Sequence, residues 1–201
     1  MHLYISIHPM IRVKDKINKQ AKKLKNLSTR LFNSNSLVLS QSTAYEVIAE
    51  YKQTRVRYYA SPNRQYKEPL VFVPPLAINM AIYDLYPYRS LVKHFQNSGF
   101  DVYLMEWGQF NYQDRFLNFM SFINDAIPHC IEQICQHSKS EQISLHGWSM
   151  SGVFVMLYSA LHPINPVKNL IVLGSPVDSY ASGYIGTIVK KLNHLIHKSV
   201  S

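Results

Sequence analysis

The chain of 201 residues has two cysteines, no long apolar run and fewer acids than bases, and each shortage excludes something. Cys130 and Cys135 stand five apart in one expected helix, too far round and along it for an easy disulfide. A disulfide scaffold is therefore excluded. The two read as buried thiols, and neither has ligand company at a metal-binding spacing, so no metal site is expected. No run approaches the roughly 18 apolar residues of a membrane helix. Residues 1–10 lack a basic start followed by an apolar block, so no secretory signal is expected and the chain reads as cytoplasmic.

Twelve Asp/Glu against 21 Lys/Arg give a formal charge of +9. Residues 1–30 hold eight of those bases and a single acid, so the basicity belongs to one segment. There Ile17, Ala21, Leu24, Leu27 and Leu31 recur at threes and fours, the mark of a helix with a basic outer face over 13–31. Such a helix suits an anionic membrane or granule surface, and equally a solvated terminal arm. Aromatic residues are not interleaved with its lysines, and nucleic acid is not an expected partner.

What is present is globular: 47% hydrophobic and 16% charged residues, enough for one domain with a sizeable core. After a Ser/Asn-rich linker at 33–43, Tyr45–Tyr51 and Arg55–Ala60 read as an antiparallel hairpin at a sheet edge. Pro69–Val73 is a continuous apolar run, ended by Pro74-Pro75, as in a strand buried on both faces. Next come a helix over 85–97, a strand over 101–105, and a helix over 114–137 with a kink or break at Pro128. A strand over 142–146, a helix over 153–161, a buried strand over 167–173 and a last helix over 184–198 complete the order. This alternation predicts an α/β fold, a mostly parallel sheet with helices on both faces. No internal repeat is visible.

Gly147-Trp148-Ser149-Met150-Ser151-Gly152 sits between the strand at 142–146 and the helix at 153–161. A strand, a sharp Gly-x-Ser-x-Gly turn and a helix form a nucleophile elbow, which pushes the serine Oγ into the open. The last glycine of that pattern is replaced by Ser151. The competing reading is a Gly/Ser-rich turn between two core elements.

The ordered set of Thr43–Ile48, Val56–Tyr59, Val73-Pro74-Pro75-Leu76, Ser90-Leu91-Val92, Gly99–Leu104, Glu106-Trp107-Gly108, Ile143–Gly147 and Pro176-Val177-Asp178 resembles the poly(3-hydroxyalkanoate) synthase branch of the α/β-hydrolase superfamily. The resemblance spans about 43–180. It implies residues 1–42 as a basic amphipathic helix and linker, 43–180 as the N-terminal part of an α/β-hydrolase domain with hairpin strands first, and 181–201 as the start of a cap or lid. The C-terminal part of the sheet is expected to be missing, which would leave an open edge. Two departures stand out. The family's elbow carries cysteine, where this chain has Ser149, and serine favours ester hydrolysis over exchange of thioesters. The triad acid and base follow the serine in such folds, and both remain unknown here: Asp178 resembles an acid before the cap, while His194 and His197 fall in the last helix.

The resemblance implies acyl transfer, with Ser149 attacking an ester or thioester, and Met150 together with Leu76 or Ala77 giving N–H groups to the oxyanion. Pro74 and Pro75 have none to give. Trp148 either shapes an acyl pocket or fills space, and Glu106-Trp107-Gly108 either lines the pocket mouth or is a packed turn. His146, three before the serine, reads as a core histidine. No cofactor is expected, and a coenzyme A thioester is a candidate substrate. The missing acid and base would come from further C-terminal chain or a partner subunit; the alternative is a catalytically inactive synthase-like binding module.

Overall fold

The computed structural model describes residues 42–191, apart from 77, 179, 182, 185 and 189. The basic helix at 13–31, Ala77, His194 and His197 lie outside them. Alternation along the strands creates two cores. In β3 (Leu70–Val73), Val71 and Val73 point to one face, where they join a cluster containing Ile127, Ile131, Phe154 and Val155; Leu70 and Phe72 point to the other, with Met80, Tyr83 and Val92. A strand with period two and no polar position must be covered on both sides. In β6 (Val102–Glu106) the split recurs, Tyr103 and Met105 going to the first cluster and Val102 and Leu104 to the second.

Among the described residues the sheet has six strands, in the order β1-β2-β6-β3-β7-β8. The hairpin β1 (Glu46–Tyr51) and β2 (Thr54–Tyr59) is antiparallel, as is the join of β2 to β6. From β6 through β3 and β7 (Ile143–Trp148) to β8 (Val167–Leu173) all pairing is parallel. The expected mostly parallel sheet is therefore found, with β3 at its centre.

Three expectations need correction. The helix over 85–97 begins late: β4 (Asp84–Tyr86) and β5 (Arg89–Ser90) form a small antiparallel pair, and α1 is Leu91–Asn97. Pro87 lies between the two strands, and Ser90 caps α1 by accepting the Lys93 N–H at 3.0 Å. The helix over 114–137 is broken into a 3-10 turn (Tyr112–Phe116), α2 (Phe119–Ser121), a π-helical turn (Phe122–Ala126) and α3 (Ile127–Ser138). Pro128 has no N–H for the carbonyl four residues back, and the widened turn sits just ahead of it. The strand over 167–173 was expected to be buried, yet β8 is at the edge of the sheet, with Leu170, Ile171, Val172 and Leu173 each at least 37% exposed.

The cysteines sit where expected, both unpaired in α3. Burial pushes the Cys130 thiol up to about 12, which keeps it protonated and unreactive. Among the described residues no helix is long and apolar enough to cross a membrane.

His146 on β7 is 8% exposed, its ring edge-on to Phe72 with centroids 4.9 Å apart, and its Nδ1 has no hydrogen-bond partner. Burial lowers its pKa from the ordinary 6.5, because the charged ring loses its hydration. Protonation therefore favours the unfolded chain. The stabilising contribution is complete above pH 6.5 and is lost as the pH falls through the depressed folded-state value. Thermal melts between pH 7.5 and 5 should show the midpoint falling, and His146→Leu should flatten that fall, the slope it removes being at most about 1.4 kcal/mol per pH unit.

Candidate functional site

At the end of β7 the chain turns through Ser149 into α4 (Met150–Leu161). Ser149 has φ 56° and ψ −127°, a conformation that a residue with a Cβ adopts only when its surroundings enforce it. The enforcement is visible on both sides. A Cβ on Gly147 would stand 2.5 Å from the Ser151 carbonyl oxygen and 2.7 Å from Gly152 backbone atoms; one on Gly152 would stand 2.8 Å from Ser175 Cβ and 3.0 Å from Val172 Cγ1. The first turn of α4 thus lies against β7 and β8 with no room between. The Ser149 N–H is tied to the Leu173 carbonyl at 2.9 Å, which fixes the corner to β8.

Ser151, the residue in place of a glycine, is fully buried and makes two bonds with one backbone unit. Its hydroxyl donates to the Trp148 carbonyl at 2.7 Å and accepts the Trp148 N–H at 2.8 Å. The required glycine is the next one, Gly152. The Ser149 side chain makes no capping bond to α4, so its Oγ is not spent on the helix. Met150 is the first residue of α4, and its N–H, like those of any first turn, has no partner within the helix and lies at the positive end of its dipole.

The register of the sheet sets the neighbour of this corner. Val73 of β3 pairs with Gly147 of β7, so Pro74, Pro75 and Leu76 leave the sheet at the level where the elbow turns. Trp107, just past β6, is 2% exposed and donates its indole N–H to the Pro74 carbonyl at 2.6 Å. That bond secures the start of the loop. Gly108 follows with φ 74°, and a Cβ there would overlap the Gln53 carbonyl oxygen. Glu106-Trp107-Gly108 is therefore a packed turn that also borders a cavity.

Leu76 lines two cavities of opposite character. One, of about 730 Å³, is walled by charged and amide groups including Lys52, Arg55, Arg57, Asn79 and Glu106. Arg57 and Glu106 are paired there at 2.9 Å; burial opposes the Arg57 charge, but the bonds to Glu106 and Tyr59 outweigh it and hold its pKa above the ordinary value. The other, of about 500 Å³, is walled by Phe110, Leu117, Phe119 and Phe122, with Leu76 on the shared side. Phe119 and Phe122 rest on Phe154 of α4, with centroids 5.5 and 6.2 Å apart. Ser149 and Trp148 line neither cavity.

Ser149, Met150, Trp148 and Leu76 are therefore gathered at one end of the sheet, while Ala77 falls outside the described residues. His146 stays a core residue: its ring faces Phe72 in the second core. His137 shares a hydrogen bond of 2.8 Å with the buried Tyr103 hydroxyl, and the His129 ring lies tilted against Tyr51 with centroids 4.6 Å apart, so both serve packing. Asp178 Oδ1 accepts the N–H groups of Tyr180 and Ala181, a local turn. Two contributors escape sequence reading: the Trp107 indole, whose target 33 residues away has no local signal, and the Ser151 hydroxyl, signalled only as a departure from the glycine pattern.

Over residues 68–185 the chain matches the family described as alpha/beta hydrolase fold. It is 37% identical over 110 residues to the poly(3-hydroxyalkanoate) polymerase subunit PhaC of Synechocystis sp., covering 55% of this chain and 29% of that one. To the corresponding subunit of Allochromatium vinosum it is 31% identical over 161 residues, covering 79% and 45%. The chain spans less than half the length of these relatives. A solved structure, Francisella virulence factor BioJ, shares the fold with a TM-score of 0.54 at 18% identity, over 83% of this chain and 54% of that one. A mostly parallel sheet with a strained strand-to-helix corner at the end of β7, and a family match across more than half of the chain, lead to one conclusion: the protein belongs to the alpha/beta hydrolase fold family and is similar to PhaC subunits.

Proposed function

We propose that Ser149 is the nucleophile of an acyl-transfer site acting on an ester or thioester. The observation that carries this reading is the backbone at Ser149, held at φ 56° between β7 and α4 with its hydroxyl uncommitted to a helix cap. Strain of this kind is retained where surrounding structure over-determines it, as the absent Cβ atoms at Gly147 and Gly152 do here. In the proposed step Ser149 Oγ attacks the carbonyl carbon and its proton passes to a general base. The tetrahedral oxyanion is met by the Met150 N–H and an N–H from the loop at Leu76 or Ala77. Collapse expels the alcohol or thiol and leaves an acyl-serine, which water or another acceptor releases.

Serine needs a base more than cysteine does, since a free hydroxyl is a far weaker nucleophile than a thiol. We place that base and its acid outside the described residues of this chain. The same chemistry makes ester hydrolysis the favoured reaction, with elongation from a thioester second.

A fluorophosphonate probe should label the folded protein on Ser149, as read by peptide mass spectrometry, and Ser149→Ala should abolish the labelling. A folded sample in which the base and acid are present and Ser149 still takes no label overturns the nucleophile assignment and favours an inactive binding module. Gly147→Ala should force the helix backbone away from β7, costing about 1–3 kcal/mol in a denaturant titration and slowing labelling at least tenfold.

A further inference from the structure

We infer that the charged cavity at the carboxyl ends of β3 and β6 is a binding site for a hydroxylated organic acid carrying one negative charge. The site stands apart from the acyl-transfer reading, since Ser149 takes no part in its walls. Three segments meet there: the hairpin turn after β1, the loop after β3 and the loop after β6. Open α/β sheets bind ligands in the crevice outside the carboxyl ends of their strands. Lys52 takes φ 54° in the hairpin turn, and the lack of a Cβ on Gly108 lets the Gln53 carbonyl press against the loop after β6. Trp107 ties that loop to the Pro74 carbonyl at 2.6 Å. The walls are therefore fixed relative to one another, and the volume of about 730 Å³ lies in the range of small-molecule sites.

The charges select the ligand. Lys52, Arg55 and Arg57 line the cavity with Glu50 and Glu106, an excess of one base. Arg57 and Glu106 neutralise each other at 2.9 Å. Arg55 lies opposite Glu50 of β1 and Glu106 of β6, yet among the described residues it makes an ion pair with neither, and Lys52 meets only the Tyr51 ring, 5.2 Å from its centroid. Two cations thus remain for a carboxylate, whose two oxygens suit the guanidinium fork. One negative charge balances the cavity; a second would stand against Glu50 and Glu106 without a counter-charge. The side-chain amides of Gln53 and Gln109 have no hydrogen-bond partner among the described residues and offer both donors and acceptors, which a hydroxyl answers and a methylene does not. An alkyl body would strip water from these groups and replace none of its bonds.

Calorimetric titration of the full chain with matched probes tests the site: lactobionate, a hydroxylated monoanion; lactose, its uncharged counterpart; trehalose 6-phosphate, which carries about two charges; and octanoate, an acid without hydroxyls. Lactobionate should bind at least tenfold tighter than each of the others, and its affinity should fall as salt rises. Arg55→Gln, at an exposed position, should weaken lactobionate at least tenfold and bring it level with lactose. Lys52→Asn, which keeps a residue tolerant of the left-handed turn, should weaken it too and serves if the first variant melts early. Lys168→Gln, which removes a base paired with Glu68 outside the cavity, should leave binding unchanged. Absence of lactobionate binding at millimolar concentration, binding that survives both Arg55→Gln and Lys52→Asn, or tighter binding of lactose or octanoate overturns the site. Tighter binding of trehalose 6-phosphate overturns the assignment of a single charge. Ser149→Ala should titrate like the parent chain, so failure of Ser149 labelling and failure of lactobionate binding are separate results.

Discussion

The first turn of α4 lies so close to β7 and β8 that side chains are excluded at two positions, and the rest of the site depends on that approach. Without Cβ atoms at Gly147 and Gly152 the helix can begin immediately after the strand, and Ser149 has to take a positive φ to make the corner. The corner leaves the Ser149 hydroxyl without a capping bond to the helix and the Met150 N–H at the helix start. Hydrogen bonds hold what sterics allow: Ser149 N–H to Leu173 and the Ser151 hydroxyl to both polar atoms of the Trp148 peptide. The position of β8 therefore matters to Ser149 through the Leu173 carbonyl.

The opposite wall of the site depends on the centre of the sheet. β3 is buried on both faces, so its register with β7 is set by two cores at once, and a slip of one residue would exchange every side chain between them. That register places Pro74 to Leu76 beside the elbow. The Trp107 indole then ties the loop to the neighbouring strand β6, so the Leu76 segment is positioned from both sides of β3. Two prolines stiffen a segment that has lost two backbone donors, and the single bond from Trp107 to a proline carbonyl replaces part of what the ladder supplied.

Much of this was legible in the residues. The continuous apolar run at 69–73 announced a strand covered on both faces, and the alternation of strand and helix gave a mostly parallel sheet. Gly147 and Ser149 marked the corner. What was not legible was tertiary. The run Val167–Leu173 has the pattern of a central strand, yet in the described residues it is an edge, because periodicity reports what a strand can bury and not what lies beside it. The start of α1 moved by six residues because the Asp84–Ser90 segment pairs with itself, with Asp84 accepting from the Thr43 N–H and hydroxyl at 2.8 and 2.9 Å, partners 41 residues away. The two cavities that meet at Leu76 had no sequence signature, since their walls come from four separate segments.

The two departures from the family's elbow pattern are different in kind. Ser151 in place of a glycine looked like a weakening of the motif, but its side chain fits a buried position and binds the Trp148 peptide, while the close approach falls on Gly152, which is retained. The geometry of the turn therefore survives that substitution and gains two hydrogen bonds from it. Ser149 in place of cysteine bears on the proposed chemistry: a hydroxyl is a far weaker nucleophile than a thiol, so on the acyl-transfer reading activation by a base becomes the controlling requirement. Among the described residues His146 is the nearest imidazole in sequence, and it is turned into the second core against Phe72, with burial lowering its affinity for a proton. On the acyl-transfer reading, a serine at this corner, with its local histidine committed to packing, takes its base from elsewhere; geometry and activation are then separable properties, and the described residues provide the strained corner.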